Sequence, residues 1–451
     1  MANFTTNYNL IKPIGTELYD VEDNNGNADK IDLALLAKID TAKISNNLTE
    51  TVAGKVLDAT QGKVLSDLIA QMAVKRFGFR RTKAEPNSET RITYLFDAVG
   101  MTPAYMDFGT GNFNNGSWAT FIGEVQRQVM LKTDGTVDYE LSPNDDTKKI
   151  DGVTASDVSN TDYEGNAMTA FKKYKWVCRY EDATHEYVIF SNVKYDANYN
   201  AYAHTNQIGQ IKDEFYWGKY KGIYSTNLRS IASQPVMVGQ TRNTEVSRAT
   251  ANGSGYYTIY KSGWDYIGDL LTLISKSDNS QTKFGTGRSK LNTPTPIATG
   301  TLKTFPLFKG YSDEASDVKV FGIEGFWGNV WEGMAGLVFN TKIKTKMMPP
   351  YNFDGAGYTD TGVIPGGTSG GYVDTASVTD ISGYVPKTAG GSATTYYCDG
   401  LYFNNAQVNY AIVSGFWGYG SVNGSRFVGL HILSSFFGNN VGSRLSFLSP
   451  S

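Results

Sequence analysis

The 451-residue sequence contains only two cysteines, Cys178 and Cys398, and only three histidines, His185, His204 and His431. Two thiols so far apart along the chain do not make the dense disulfide framework of a small secreted domain. Whether they pair depends on a distance in space that spacing does not reveal. The three scattered histidines lack metal-ligand spacing, so no metal site is expected. Charge is sparse and balanced: charged residues make up 19% of the chain and the formal net charge is -3. Without a concentrated basic face, nucleic acid is excluded as a partner. No apolar run approaches the roughly 20 residues that a membrane span needs. The opening MANFTTNYNLIKPIG has no basic segment followed by an apolar stretch, so the expectation is a soluble chain with no signal peptide and no membrane insertion.

What is plentiful is aromatic side chains, at 13% with 29 tyrosines, and glycine, with 48. That composition suits a fold rich in strands and irregular connections better than a helical bundle. Residues 1–75 differ from the rest and read as an N-terminal appendage. Ile31, Leu35 and Ile39 recur at helical spacing behind Asn27 and Asp29, and Val64, Leu65, Leu68 and Met72 do so behind Thr60 as a cap. Helices this short are marginal alone in water, so their apolar stripes need either the main domain or further copies of themselves. An amphipathic helix packed on its own domain and a short parallel bundle of three chains both fit.

From residue 76 to 451 no linker divides the chain. Residues 91–96, 175–180 and 187–193 read as strands between Gly, Asn and Asp turns. Trp264, Ile267, Leu270, Leu271 and Ile274 share one helical face, which predicts a helix packed against a sheet. Residues 355–391, dense in Gly, Thr and Ser, read as long surface loops. The expected fold class is therefore α+β with much irregular structure.

Chemistry finds little purchase in this pattern. Cys178 sits in a strand-like run, where a small buried hydrophobe is the expected role. No Gly-x-Ser-x-Gly elbow stands beside a base. Paired carboxylates for glycoside cleavage are set in space and stay open as an alternative. Asn144, Asp145, Asp146 and Asp151 offer oxygen ligands but miss the spacing of the calcium-binding helix-loop-helix, and read first as a solvated turn. No cofactor is implied.

One segment is more specific. Trp327-Gly328-Asn329-Val330-Trp331-Glu332 resembles the GNVWEW signature of the formylglycine-generating-enzyme (sulfatase-modifying factor) family. Its spacing would set both indoles on one face of a short helix, and a buried Asn329 would bond the backbone of a neighbouring loop. Residues 94–105, 165–168, 279–281, 397–400, 404–410, 413–415 and 442–447 are similar to lectin-like domains at phage tail tips. Residues 3–13 and 53–63 resemble phage structural proteins that join a distal fibre to the virion.

The resemblance implies a C-type-lectin-like domain over 76–451 and a phage tail receptor-binding protein, made in the host cytoplasm and carried on the tail tip or fibre of the virion. The family's enzymes use a closely spaced cysteine pair that binds copper. This chain lacks it, so the resemblance implies the scaffold without the enzyme activity. The final stretch, 396–451, is similar to the variable regions of diversity-generating retroelements.

The binding candidates are Tyr402, Asn404, Asn405, Gln407, Asn409, Tyr410, Trp417, Tyr419, Ser421, Asn423, Ser425, Arg426 and His431. Tyr supplies broad, rigid contact area, while Asn and Ser supply adaptable hydrogen bonds. Trp417 reads either as core or as the central aromatic of the site. The expected partner is a bacterial surface protein or glycan. Residues 1–75 are expected to join other tail proteins and three copies of the chain, which adds avidity. A virion-borne enzyme acting on a surface polymer and a purely structural tail component are the competing readings. On the favoured reading, replacing Tyr410 and Tyr419 by Ala weakens attachment to host cells without unfolding the domain.

Overall fold

The structure is a computed structural model that describes residues 74–290 and 295–450, together with Asn3–Phe4, Ile11–Lys12, residues 30–31, Ile44–Ser45, Val56–Leu57 and residue 65. The chain divides into two compact units, Met1–Val74 and Lys75–Ser451. In the first, Asn3–Phe4 pairs antiparallel with Ile11–Lys12, and Ile44–Ser45 pairs parallel with Val56–Leu57. Lys30, Ile31 and Leu65 are helical. The other members of the two helical stripes, Leu35, Ile39, Val64, Leu68 and Met72, and the caps Asn27, Asp29 and Thr60, lie outside the described residues.

The second unit is mostly β with few helices. It opens with β1 (Arg76–Thr82) and β2 (Ile92–Phe96). Helix α1 (Ala119–Val125) runs into β3 (Gln126–Lys132), followed by β4 (Val137–Glu140) and β5 (Gly165–Phe171). Next come β6 (Trp176–Glu181), β7 (His185–Ser191) and β8 (Phe215–Gly218). Helix α2 (Arg242–Thr250), β9 (Tyr256–Thr258), α3 (Lys261–Ser275) and α4 (Ser280–Phe284) form the middle. The last part holds β10 (Trp331–Asn340), β11 (Lys342–Thr345), β12 (Gly371–Thr379) and β13 (Gly383–Ala389). It ends with β14 (Gly400–Phe403), β15 (Asn409–Val413), β16 (Val428–Ile432) and β17 (Leu445–Phe447).

Three sheets carry these strands. One has the order β6-β7-β1-β2, a second β4-β3-β5-β8-β17-β9, and the third contains the path β11-β10-β15-β16-β14-β12-β13. The chain's last strand, β17, thus lies between β8 and β9, far from them in sequence. The three strands expected from alternation fall on β2, β6 and β7. Helix α3 spans the expected apolar face, but every one of its residues is buried, polar ones included. Lys261 bonds Asp265 within the helix, and Asp269 receives Arg179 and Arg426. A helix whose charges are paired, within itself or by neighbouring segments, can be enclosed on all sides.

Several sequence expectations are corrected. The segment with the two tryptophans is not helical: Gly328 and Asn329 take φ of 82° and 64°, and Trp331 already begins β10. At Gly328 a Cβ would stand 2.7 Å from the Arg288 carbonyl oxygen, so only glycine fits this left-handed turn. Asn329 does bond a loop backbone, receiving Ile297 N–H at 3.1 Å and donating to its carbonyl at 3.3 Å. Residues 355–391 are not all loop, because β12 and β13 form an antiparallel hairpin there. Val373, Ala376, Val378, Tyr384 and Val385 are its buried contribution, hidden in sequence by the surrounding Gly, Ser and Thr. Asp146 is not in a solvated turn. It is buried, with Lys219 at 3.1 Å, Lys319 at 3.0 Å and the Tyr220 hydroxyl donating at 2.9 Å. Two lysines satisfy this carboxylate, in place of a calcium ion.

Among the described residues, Arg444 is buried and bonded at every guanidinium nitrogen. It donates to the carbonyls of Gly218 (2.9 Å), Glu324 (2.9 Å) and Gly325 (2.9 Å) and to the Glu332 carboxylate (2.8 Å), which Lys221 also reaches at 2.7 Å. Removing one partner from such a set leaves uncompensated charge in the interior. Glu332→Ala is therefore expected to destabilise the second unit by about 3–5 kcal/mol. Urea unfolding followed by tryptophan fluorescence measures this, and a loss under about 1 kcal/mol, the scale of a surface pair, would contradict it.

Candidate binding face

The face is built on β14, β15 and β16, where β14 runs parallel to β16 and β15 antiparallel to it. The loops that leave these strands are closed by their own amides. Asn409 donates to the Asn404 carbonyl at 2.7 Å and to that of Gln407 at 3.2 Å, and the Gln407 amide returns to Asn409 Oδ1 at 2.7 Å and to the His431 carbonyl at 3.3 Å. After β15, Ser414 and Gly415 take φ of 79° and 72° and turn the chain sharply. Asn423 then clasps residue 416 from both sides, accepting from Phe416 N–H at 3.1 Å and donating to its carbonyl at 2.7 Å. Below this loop the Asp399 carboxylate accepts from Arg426 N–H at 2.6 Å. The Arg426 guanidinium pairs with Asp269 of α3 and lies 5.2 Å from the centre of the Tyr384 ring. The loop is thereby fixed to the buried helix.

An aromatic cluster fills the space between the loops. The Trp331 ring lies 4.4 Å from Phe416, 5.0 Å from Tyr419 and 5.6 Å from His431. Tyr402 and Tyr419 stack at 4.5 Å with 13° between their planes, and Tyr402 lies 5.4 Å from His431. Trp331 is buried, whereas Tyr402, Phe416, Tyr419 and His431 are half-buried and reach solvent. Beside them, the Tyr372 and Ser421 hydroxyls meet at 2.6 Å.

Beyond β16, residues 433–440 form a protruding loop. Its base is held by Arg242 N–H to the Ser434 carbonyl (3.1 Å), Gly239 N–H to that of Gly438 (3.0 Å) and Trp331 N–H to that of Asn440 (2.9 Å). Leu433 is 44% exposed, Phe436 39% and Phe437 69%, with Val408 at 40% on the neighbouring loop. Leaving such groups in water forgoes roughly 1.5–3 kcal/mol of burial for each large apolar side chain.

The sequence-derived candidates separate into three groups. Asn404, Asn405 and Ser421 are exposed, and Tyr402, Gln407, Tyr419 and His431 are half-buried at the face. Asn409, Tyr410, Trp417, Asn423, Ser425 and Arg426 are buried and correct the expectation that they form its surface. Asn409, Asn423 and Arg426 hold loops together, and Ser425 N–H donates to Ser280 Oγ of α4 at 3.1 Å. Tyr410 sits in β15 between β10 and β16, under the Arg242 guanidinium at 5.2 Å, so it is scaffold. Trp417 packs with Val236 and Val330 as core. Leu433, Phe436 and Phe437 were missed. Their signal was Phe436-Phe437 between Ser434-Ser435 and Gly438-Asn439-Asn440, an adjacent aromatic pair among turn residues, where a strand would bury only one of the two.

The face's own segments carry almost no charge, although the Glu314 carboxylate, paired with Lys290, lies 3.8 Å from where a Cβ on Gly420 would stand. Between Gly400 and Ser443 the only Lys, Arg, Asp or Glu is Arg426, which is buried and paired. Burial pushes the His431 imidazole down to about 4, so it is neutral near pH 7. Both cysteines are free and buried. Burial raises the Cys178 thiol to about 11 and raises that of Cys398 as well, which makes both unreactive. Among the described residues no group of three or more His, Cys, Asp or Glu side chains gathers to hold a metal ion, and no helix is long and apolar enough to cross a membrane.

No protein-family model matches the chain, and no curated protein matches it. Solved structures similar to it include the U1 variant of a major tropism determinant, with TM-score 0.28, 12% identity and coverage of 72% of this chain and 73% of that one. The P3c variant has TM-score 0.24 and 13% identity, and the M1 variant TM-score 0.24 and 14% identity, each covering 72% of both chains.

Scaffold and surface should part cleanly in unfolding experiments. Tyr410→Ala is expected to cost about 3–5 kcal/mol, as large buried aromatics do, and Phe437→Ser to stay within about 0.5 kcal/mol. Equal losses in urea melts would refute this division.

Proposed function

We propose that this protein is a phage tail receptor-binding protein that attaches the virion to a bacterial surface through the face formed by residues 402–408, 419–421 and 433–440. The observation that carries the reading is the exposed Leu433, Phe436 and Phe437 beside the Tyr402–Tyr419 stack, on loops tied to a rigid three-strand base. Exposed aromatics surrounded by amides and hydroxyls, held in place before binding, are what a recognition surface requires. The exposed loop positions can change while β14, β15 and β16 and the amides that close the loops keep the frame, which suits a receptor site that must change. The scaffold is read as C-type-lectin-like, of the formylglycine-generating-enzyme branch, on the motifs at 327–332 and 442–447.

On this reading the protein is not an enzyme, its partner is a bacterial surface protein or glycan, and it resides on the tail tip or fibre. The first unit joins it to other tail proteins and to two further copies as a homotrimer. Diversification of 396–451 by a retroelement belongs to the same reading, since AAC codons yield Asn, Tyr and Ser on adenine replacement. A near-identical template repeat beside a reverse transcriptase gene in the encoding DNA would establish it.

The deciding experiment is adsorption of the purified full-length protein to a panel of host strains. Phe436→Ser with Phe437→Ser is expected to reduce adsorption at least about tenfold, equivalent to about 1.4 kcal/mol, with an unchanged melting curve. Full adsorption by a folded double variant would refute the assignment of this face, and release of sugar products from host polymers would favour the enzyme instead.

The missing charge yields a second expectation. Adsorption should change less than about twofold between about 50 and 500 mM salt, because screening acts on charge pairs and the exposed loops of this face carry no charge of their own. It should also be flat from about pH 5.5 to 8, since His431 loses its proton near pH 4, below that window. Steep loss of binding with salt would contradict the proposal.

A further inference from the structure

A cavity in the second unit shares no residue with the proposed attachment face. It has a volume of about 400 Å³, within the range of small-molecule sites. Its walls are phenol rings: Tyr260 and Tyr351 are stacked at 6.3 Å and 18°, and Tyr257 is inclined to Tyr351 at 5.8 Å and 50°. These walls are fixed. Tyr260 donates its hydroxyl proton to the Ala203 carbonyl at 2.8 Å, and Leu448 N–H bonds the Gly255 carbonyl at 3.0 Å. Asn206 donates to the carbonyls of Ser449 and Pro450, each at 3.1 Å, and so holds this segment in the wall. At the mouth stand Gln207 and Ser254, both exposed. No lining residue is charged.

We infer that this cavity binds a short neutral saccharide. The lining decides between ligand classes. An anion or cation entering it would lose its hydration with no countercharge in return. A purely apolar ligand would make no use of the Gln207 amide and the Ser254 hydroxyl and would forgo the hydrogen bonds they offer. A pyranose meets both demands. Its C–H face packs on the Tyr257 ring, while its hydroxyls donate to and accept from Gln207 and Ser254, which do both themselves. The cavity is therefore a second recognition site, fixed by core tyrosines and by Ser449 and Pro450, and separate from the loops of the proposed attachment face.

Saturation-transfer NMR on the full-length protein tests this with millimolar maltose, cellobiose and N,N′-diacetylchitobiose as probes. Transfer to ring C–H protons of at least one sugar is expected. Tyr257→Ala should abolish it, and Gln207→Ala with Ser254→Ala, two exposed positions that leave folding intact, should weaken it about tenfold. Phe437→Ser should leave it unchanged, so loss of cell adsorption and loss of saccharide binding can be told apart. No transfer from any of the three sugars, transfer that persists unchanged in both cavity variants, or binding of an octaproline peptide in place of the sugars would each overturn the assignment.

Discussion

The Arg444–Glu332 pair is the constraint from which the second unit's architecture follows. A guanidinium in the interior costs several kcal/mol in lost hydration unless its N–H groups find acceptors. Here they find a carboxylate and main-chain carbonyls from two other segments, Gly218 at the end of β8 and Glu324 and Gly325 before β10. Satisfying that one side chain places β17 between β8 and β9 and fixes where β10 begins. It also sets Val441–Gly442 parallel to the start of β10, so residues 433–440 are held at both ends as a loop between β16 and a buried ion pair.

The same device recurs at α3. Although burial opposes it, the Arg426 and Arg179 guanidiniums hold the Asp269 carboxyl below its usual range. Arg81 similarly reaches Asp278 at 2.9 Å. These pairs add little net stability over apolar packing, but they fix register, since a charge moved out of place finds no partner. Through Arg426 that register passes to the loop of Phe416 and Tyr419. Neutral, aromatic loops can then face outward on a base whose charges are all inside. Scaffold and recognition surface are thus divided by chemistry as well as by position.

This division explains which candidate residues survived. Asn, Ser and Tyr in the last sixty or so residues look alike in composition, yet Asn404 and Asn405 face solvent while Asn409 and Asn423 close loops from within. All four amides bond main-chain groups, since Asn404 accepts from Ala406 N–H at 3.0 Å and Asn405 donates to the Pro365 carbonyl at 3.1 Å. Their difference lies in burial: the first two keep part of the side chain in water, where a ligand can reach it, and the other two do not.

Local pattern alone determined a good deal. Period-two alternation identified β2, β6 and β7, the spacing of Trp264 to Ile274 identified α3, and the motif at 327–332 marked Asn329 as a buried amide bound to loop backbone. These are near-neighbour effects, governed by propensity and by one side chain's demand for a bond. Tertiary structure alone decided that Gly328 and Asn329 turn left-handed, that β12 and β13 form a hairpin under a Gly- and Thr-rich sequence, and that Asp146 belongs to two lysines. It alone brought Glu332 to Arg444 and left Phe436 and Phe437 outside. Each of these depends on a partner distant in the chain, and a sequence states which groups need a partner but not which one the fold supplies.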